Sequence, residues 1–267
     1  MTRVGTVRAD ALPDPCDEGV AVDDPESRVT RIERLIAAEP QPDGTASSLV
    51  TRLHRLCGAL VRALPADAAG ISLMGDGHPG TMAADAGARG TSVVLSEVQF
   101  VLGEGPCLEA FASRRPVLEP DLAGRGLRRW PQFTPAARRH GVEAVFAFPL
   151  QLGSARLGVL DILRDTPGSL SEESMHDATT FAEVAVATLL DGQDQAPSGR
   201  SAEGLDDALA ARTQIYQAQG MTMIMLGVTL EEAMVRLRAH AYTQDQPLSE
   251  VAREVVAGRL ELERDDR

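Results

Sequence analysis

The chain has 267 residues, of which 43% are hydrophobic, 24% charged and only 3% aromatic, a composition typical of a globular protein. Its formal net charge of −13 argues against non-specific polyanion binding by the whole molecule but is compatible with a local arginine patch. The three cysteines, Cys16, Cys57 and Cys107, form no CxxC pair, which indicates a reducing compartment. No apolar run has the length of a signal peptide or membrane span, so we expect a cytoplasmic protein with no membrane contact.

Residues 1–45 contain five prolines and ten acidic residues against five arginines, so we predict a mobile acidic segment there. Within this segment, Val29, Ile32, Leu35 and Ile36 have the spacing of one short amphipathic helix. Two roles are open for that helix: it packs against the following domain, or it contacts a second copy of the chain.

The pattern of residues 46–192 predicts an α+β domain, an antiparallel sheet flanked by helices. Strands are predicted at 68–74, 80–84, 116–119, 142–152 and 155–163. Helices are predicted after a cap at Ser47 or Ser48, ending before Pro65, and at 91–101, 106–113, 131–140 and 171–190. Strict alternation in 142–152 places one set of side chains on a single face, where they line the core or a pocket: Val142, Ala144, Phe146, Phe148, Leu150 and Leu152.

Residues 193–204 are polar and rich in Gly, Ser and Pro, which predicts a linker. Residues 205–262 then show only helical periodicity and predict an all-α, three-helix domain. The first helix ends at Gly227, the second begins with a capping box formed by Thr229 and Glu232, and the third follows Pro247. The apolar stripe of the first helix is Ile215, Ala218, Met221 and Met225.

The carboxy-terminal residues Ile215-Tyr216-Gln217-Ala218-Gln219-Gly220-Met221, Glu232-Ala233, Leu237-Arg238, Ala241, Leu248 and Val251-Ala252 resemble the ANTAR domain of transcription antiterminators. The resemblance implies binding to RNA hairpin loops in nascent transcripts. A homodimer reading two adjacent hairpins would gain effective concentration. The expected RNA-binding residues are Arg212, Gln219, Gly220, Arg238, Ala241 and Tyr242.

Two of these residues carry open points. Gln219 stands where the family usually has a lysine, which removes one charged contact with a phosphate. Tyr242 either stacks on an unpaired base or is a half-buried core residue.

The upstream residues 99–110, Trp130-Pro131, Phe148-Pro149-Leu150 and Leu157-Gly158-Val159-Leu160 resemble the GAF domains commonly fused to ANTAR domains in actinobacteria. This resemblance implies that the domain senses a small molecule or a partner protein. Its candidate pocket residues are Cys107, Phe146, Phe148 and Leu150. Together the two resemblances predict a signal-responsive regulator that acts by transcription antitermination.

Other motifs have simpler interpretations. The segment Gly103-Glu104-Gly105-Pro106-Cys107 lacks the ending of a phosphate loop, so we interpret it as a turn into a helix that begins at Pro106. Cys107 is then either a buried small side chain or a redox-active thiol. The arginine-rich stretch 114–139 beside Trp130 is interpreted as a solvated surface and, alternatively, as a nucleic-acid contact. The histidines and carboxylates show no metal-ligand or acid–base pattern, so we expect no cofactor, metal or enzymatic activity.

Two alternatives to RNA binding are open. The terminal helices could serve only in protein interaction or dimerisation. They could also bind DNA, because Leu248-Ser249-Glu250-Val251-Ala252 resembles the first helix of a helix-turn-helix. That motif needs a following recognition helix, however, and residues 259–267 contain four carboxylates that a duplex would repel.

Overall fold

The structure, a computed structural model, describes residues 25–40, 48–74, 82–87, 90–195, 205–244 and 246–262. Its first unit contains five strands: β1 (Ala68–Leu73), β2 (Met82–Gly87), β3 (Val117–Glu119), β4 (Ala144–Leu152) and β5 (Ala155–Arg164). They form one antiparallel sheet in the order β2-β1-β5-β4-β3. The predicted α+β domain with a flanked antiparallel sheet is confirmed.

Helices cover both faces of this sheet. On one face lie α2 (Leu49–Ala63) and α7 (Glu172–Gln195), with α1 (Pro25–Ala38) packed outside them. On the other lie α3 (Thr91–Leu102), α4 (Pro106–Ser113) and α6 (Phe133–Arg139), with a π-helical turn (Leu122–Gly126) and the short α5 (Leu127–Arg129) beside them. The predicted caps are present, since Ser48 accepts a hydrogen bond from the Thr51 amide and Ser171 from the Ser174 amide.

Burial on both faces corrects the expectation of a single apolar face on β4. Phe146, Phe148 and Leu150 do pack against α2 and α7 in one core cluster. The intervening Val145 and Ala147 are equally buried, in a second cluster under α3, α4 and α6. At the ends of the run, Val142 belongs to that second cluster and Leu152 is 58% exposed. The alternation therefore separates two cores, not a core from solvent.

Helix α1 packs on the following domain through Ile32 and Ile36 of the predicted stripe, whereas Leu35 is 36% exposed. Ile32 is fully buried, and Arg28 and Arg31 lie 3.3 and 2.5 Å from the carboxylate of Asp177 on α7. This is the first of the two roles left open for the helix. The predictions for residues 1–24 and 41–45, and for the turn at 75–77, lie outside the described residues.

The three predicted carboxy-terminal helices are α8 (Leu205–Leu226), α9 (Leu230–Thr243) and α10 (Leu248–Val256). Gly227 follows α8 with a φ of +66°, a left-handed conformation that favours glycine at a helix end. Helix α7 continues to Gln195, so the predicted linker at 193–204 begins inside a helix, and residues 196–204 lie outside the described part of the chain.

Because helices cover both faces of the sheet, we expect truncations at a buried and an exposed position of β4 to differ greatly in their effect on the free energy of unfolding. Phe148→Ala should lower the free energy of unfolding by about 3–5 kcal/mol, because truncating a buried phenylalanine leaves a cavity in the core. Leu152→Ala, at the exposed end of the same strand, should change it by less than about 0.5 kcal/mol. Urea unfolding followed by the fluorescence of Trp130, the single tryptophan, measures both. Equal midpoints for the two variants would contradict this account of the core.

Candidate nucleic-acid interface and sensor core

The three terminal helices pack around a core of small and medium side chains. Leu248, Val251, Ala252 and Val255 of α10 are buried there as predicted. The Thr229 hydroxyl accepts a hydrogen bond from the Glu232 amide at 3.1 Å. The carboxylate of Glu232 contacts Arg236 at 3.4 Å, so the reciprocal half of the predicted capping box is replaced by an ion pair one turn along the helix.

Helix α9 carries an exposed aromatic side chain and a half-buried cationic side chain one turn apart. Tyr242 is 66% exposed, which excludes the interpretation as a half-buried core residue. Arg238, four residues earlier, is half-buried, and residues at this spacing lie on the same side of a helix. On α8, Gly220 is open, since a Cβ added there would meet nothing within 4 Å. Three of the six expected RNA-binding residues are thus placed at or near the surface.

Two of the expected RNA-binding residues are buried instead, which corrects the prediction. Gln219 is 3% exposed, and its side-chain amide donates a 2.7 Å hydrogen bond to the carbonyl of Leu230. It therefore ties α8 to the first turn of α9, and a contact of Gln219 with RNA stays a prediction from the resemblance. Ala241 is 1% exposed within the core. The side chain of Arg212 lies outside the described residues.

The four predicted pocket residues of the sensor domain do not share one pocket. Phe146, Phe148 and Leu150 face α2 and α7, whereas Cys107 lies under α3, α4 and α6 on the opposite face of the sheet. The sheet separates Cys107 from the other three candidates, and the role of all four in binding a ligand stays a prediction. A groove of about 290 Å³ between α1 and α2 also lies on the side of the sheet away from Cys107.

A buried acid that was not predicted lies beside Cys107. Asp161, in the middle of β5, is 4% exposed, and its neighbours across the sheet are Gly70 and Ala147. Burial raises the pKa of its carboxyl to about 7, while a hydrogen bond from the side chain of Cys107 acts in the opposite direction. Its Oδ1 has no hydrogen-bond partner among the described residues. The signal in the sequence was one carboxylate within the apolar run Val159-Leu160-Asp161-Ile162-Leu163.

The turn between α3 and α4 fixes Cys107 from the other side. The side-chain oxygen of Gln99 accepts a 2.8 Å hydrogen bond from the Cys107 amide. Gly105 has a φ of +144°, and a Cβ there would lie 2.3 Å from that same oxygen. Glu104 accepts hydrogen bonds from the amides of Gln132 and Phe133 at 2.6 and 2.9 Å. This is a structural turn, and Pro106 begins α4 as predicted.

Three of the seven arginines in the arginine-rich stretch 114–139 pair with acidic side chains of their own domain. Arg129 pairs with Glu109 and lies over the ring of Trp130. Arg138 pairs with Glu143 at 3.0 Å. These contacts favour the solvated-surface interpretation of the stretch.

Within the described ranges, no group of three or more His, Cys, Asp or Glu side chains is arranged to hold a metal ion. None of the helices in those ranges is both long enough and apolar enough to cross a membrane.

Comparisons with known families give two matches. A model of the GAF domain matches residues 46–215, and a model of the ANTAR domain matches residues 203–256. No curated protein matches the chain.

Several solved structures resemble the first unit. The GAF domain of an Acinetobacter phosphoenolpyruvate-protein phosphotransferase is 15% identical with a TM-score of 0.47, over 64% of this chain and 95% of that one. The corresponding domain from Coxiella burnetii is 19% identical with a TM-score of 0.48 and the same coverage. A free methionine-R-sulfoxide reductase from Neisseria meningitidis is 16% identical with a TM-score of 0.47, over 64% of this chain and 92% of that one.

The buried Asp161 predicts a specific dependence of stability on pH. Between the unfolded-state pKa near 4 and the folded-state pKa of about 7, the native state holds a proton that the unfolded chain releases. Stability should therefore fall as pH rises through that window, by on the order of a few kcal/mol. Asp161→Asn, which is neutral throughout, should lack this loss.

Urea midpoints measured at pH 5 and pH 8 test the effect. Asp191→Asn, at an exposed position of α7, is the matched control and should behave as the wild type does. If the urea midpoint of Asp161→Asn fell between pH 5 and pH 8 as much as that of the wild type, Asp161 would not be the group responsible.

Proposed function

The chain belongs to the GAF domain family and carries a carboxy-terminal ANTAR domain, and on this basis we propose that it is a signal-responsive regulator that binds hairpin loops of nascent RNA. ANTAR domains are RNA-binding antitermination domains and GAF domains sense small molecules. The proposed action is transcription antitermination in the cytoplasm, with a small molecule or partner protein as the signal and no enzymatic step.

The observation that carries the proposal is the outward surface of α9. The Tyr242 ring is exposed, so it needs no conformational change to reach an unpaired base. It can stack on any base, since every base has a π-face. Arg238, one turn away, has the planar guanidinium that binds phosphate oxygens in pairs. A stacking group beside a phosphate-binding group suits a single-stranded loop better than a duplex.

Charge limits how this surface works. Residues 205–267 contain seven arginines and eleven acidic residues, a net charge of −4. General attraction to polyanions is therefore absent, and affinity depends on a few focused cations. We propose Arg238 as the principal one, with Gly220 allowing the RNA backbone to approach α8. The role of Arg212 stays a prediction from the resemblance.

DNA binding has less support than RNA binding. After α10 the described residues 257–262 contain no further helix, so no recognition helix for the major groove follows α10 in this part of the chain. The other alternative is a role in protein interaction without RNA. Detection of RNA binding by the purified chain would exclude it.

We also propose that the acting species is a homodimer. A three-helix domain offers a small footprint, and linking two of them would raise affinity for a transcript with two adjacent stem-loops over one with a single stem-loop. A homodimer should therefore bind a transcript with two adjacent stem-loops more tightly than one with a single stem-loop.

Tyr242 provides the sharpest test of this surface. Full-length protein is used to select RNAs with two adjacent stem-loops from a pool with randomised loop nucleotides. For the enriched RNA, Tyr242→Ala and Tyr242→Leu should weaken binding about tenfold or more, because stacking is lost. Tyr242→Phe keeps the ring and should bind as the wild type does. Thermal stability should be unchanged in all three, since the residue is exposed.

Two outcomes would contradict the proposal. One is enrichment of no loop sequence, or tighter binding to duplex DNA than to any hairpin across several salt concentrations. The other is equal affinity of the alanine and phenylalanine variants, which would remove Tyr242 from the interface.

A further inference from the structure

A sensor residue forms part of the core of the ANTAR domain. Phe100, near the end of α3, is fully buried, and it packs in the same cluster as Met234, Leu237 and Ala241 of α9. Val101 packs against the edge of that cluster. The two domains are therefore in apolar contact through the last turn of α3.

Arg238 lies on this contact. Its guanidinium carbon is 5.6 Å from the centre of the Phe100 ring, within the range of a cation–π interaction. A Cβ added to Gly103 would lie 2.9 Å from its Nη1, so the guanidinium rests against the glycine that ends α3. The negative end of the helix dipole is at that terminus, which favours a cation there.

The contact holds Arg238 without neutralising it. Burial lowers the pKa of its guanidinium, and its Nε has no hydrogen-bond partner among the described residues. In the described ranges no carboxylate lies within ion-pair distance of it. A phosphate group would supply the hydrogen bonds and the opposite charge that this side chain lacks in the docked arrangement.

We propose that this contact is a latch, in which the end of α3 and an RNA phosphate compete for Arg238. The inference rests on the proposed RNA-binding function and adds its regulation. In the docked state the sensor occupies the cation, and the RNA-binding state requires Arg238 to leave Phe100 and Gly103. A two-state contact of this kind is biased by anything that binds one state better.

The same turn is connected to the interior of the sensor. Gln99, next to Phe100, is hydrogen-bonded to the amide of Cys107, and the Cys107 side chain is hydrogen-bonded to Asp161. Two hydrogen bonds therefore connect the buried Asp161 to Gln99 in the last turn of α3. This contiguous path gives the latch an input on the sensor side.

Gly103 allows a direct test. Gly103→Asn places a side chain against the guanidinium, and asparagine tolerates the left-handed backbone found there, where φ is +71°. Gly141→Asn is the matched control, because Gly141 also follows a helix with a φ of +79° and has nothing within 4 Å of its Cβ position. Gly103→Ala with Gly141→Ala forms a second pair in case one variant folds poorly.

Binding of the full-length variants to the RNA enriched from the randomised pool is then measured. Substitution at Gly103 should tighten binding about tenfold by releasing Arg238, while substitution at Gly141 should have no effect. Adding Arg238→Ala to Gly103→Asn should abolish the gain. RNA binding that is unchanged or weakened by substitution at Gly103 overturns the latch but leaves the proposed function standing. Absence of RNA binding in the wild type and every variant overturns both.

Discussion

The insertion of Phe100 into the carboxy-terminal helices is the contact on which the arrangement of the two domains depends. A unit of roughly 55 residues buries too little surface to be stable with a wide margin, and its interior here is built largely from alanine, valine, leucine and methionine. A phenylalanine from the sensor fills the space that these side chains leave. The RNA-binding domain is therefore completed by the domain proposed to regulate it, and any movement of α3 changes its core.

The sheet explains why the sensor can influence that contact. Because helices cover both of its faces, one core holds the domain together through α2 and α7, and the other contains the polar residues Asp161, Cys107 and Gln99. The second core lies under α3, and Oδ1 of its buried Asp161 has no hydrogen-bond partner among the described residues, which is unfavourable. A change in the charge of this buried group would act next to the helix that contacts α9. On the side of the first core, the buried carboxylate of Asp177 is paired with Arg28 and Arg31.

Most elements of the fold were predictable because their patterns are local. The caps at Ser48, Thr229 and Ser171, the glycine after α8 and the hairpin at Gly153-Ser154 all follow from turn and helix-end chemistry.

Burial was less predictable because it depends on what covers each element. The sequence of β4 alternates between two sets of apolar side chains, and only the tertiary structure shows that both are covered. On α8, helical periodicity places Gln219 and Thr222 on the same side as Ile215 and Ala218, but their polarity favours the surface. The docking of Arg238 on Phe100 joins residues 138 positions apart and has no local signal.

Hydrogen exchange on the full-length protein, with and without its selected hairpin RNA, tests most directly whether RNA and the sensor compete for α9. The amide of Gly103 donates to the carbonyl of Gln99 at 2.9 Å, and the last turn of α3 is held against α9 in the docked state. We expect RNA to speed exchange at residues 99–103 and to slow it around Tyr242. Slower or unchanged exchange at residues 99–103 in the RNA-bound protein would contradict it, because RNA would then bind the docked arrangement.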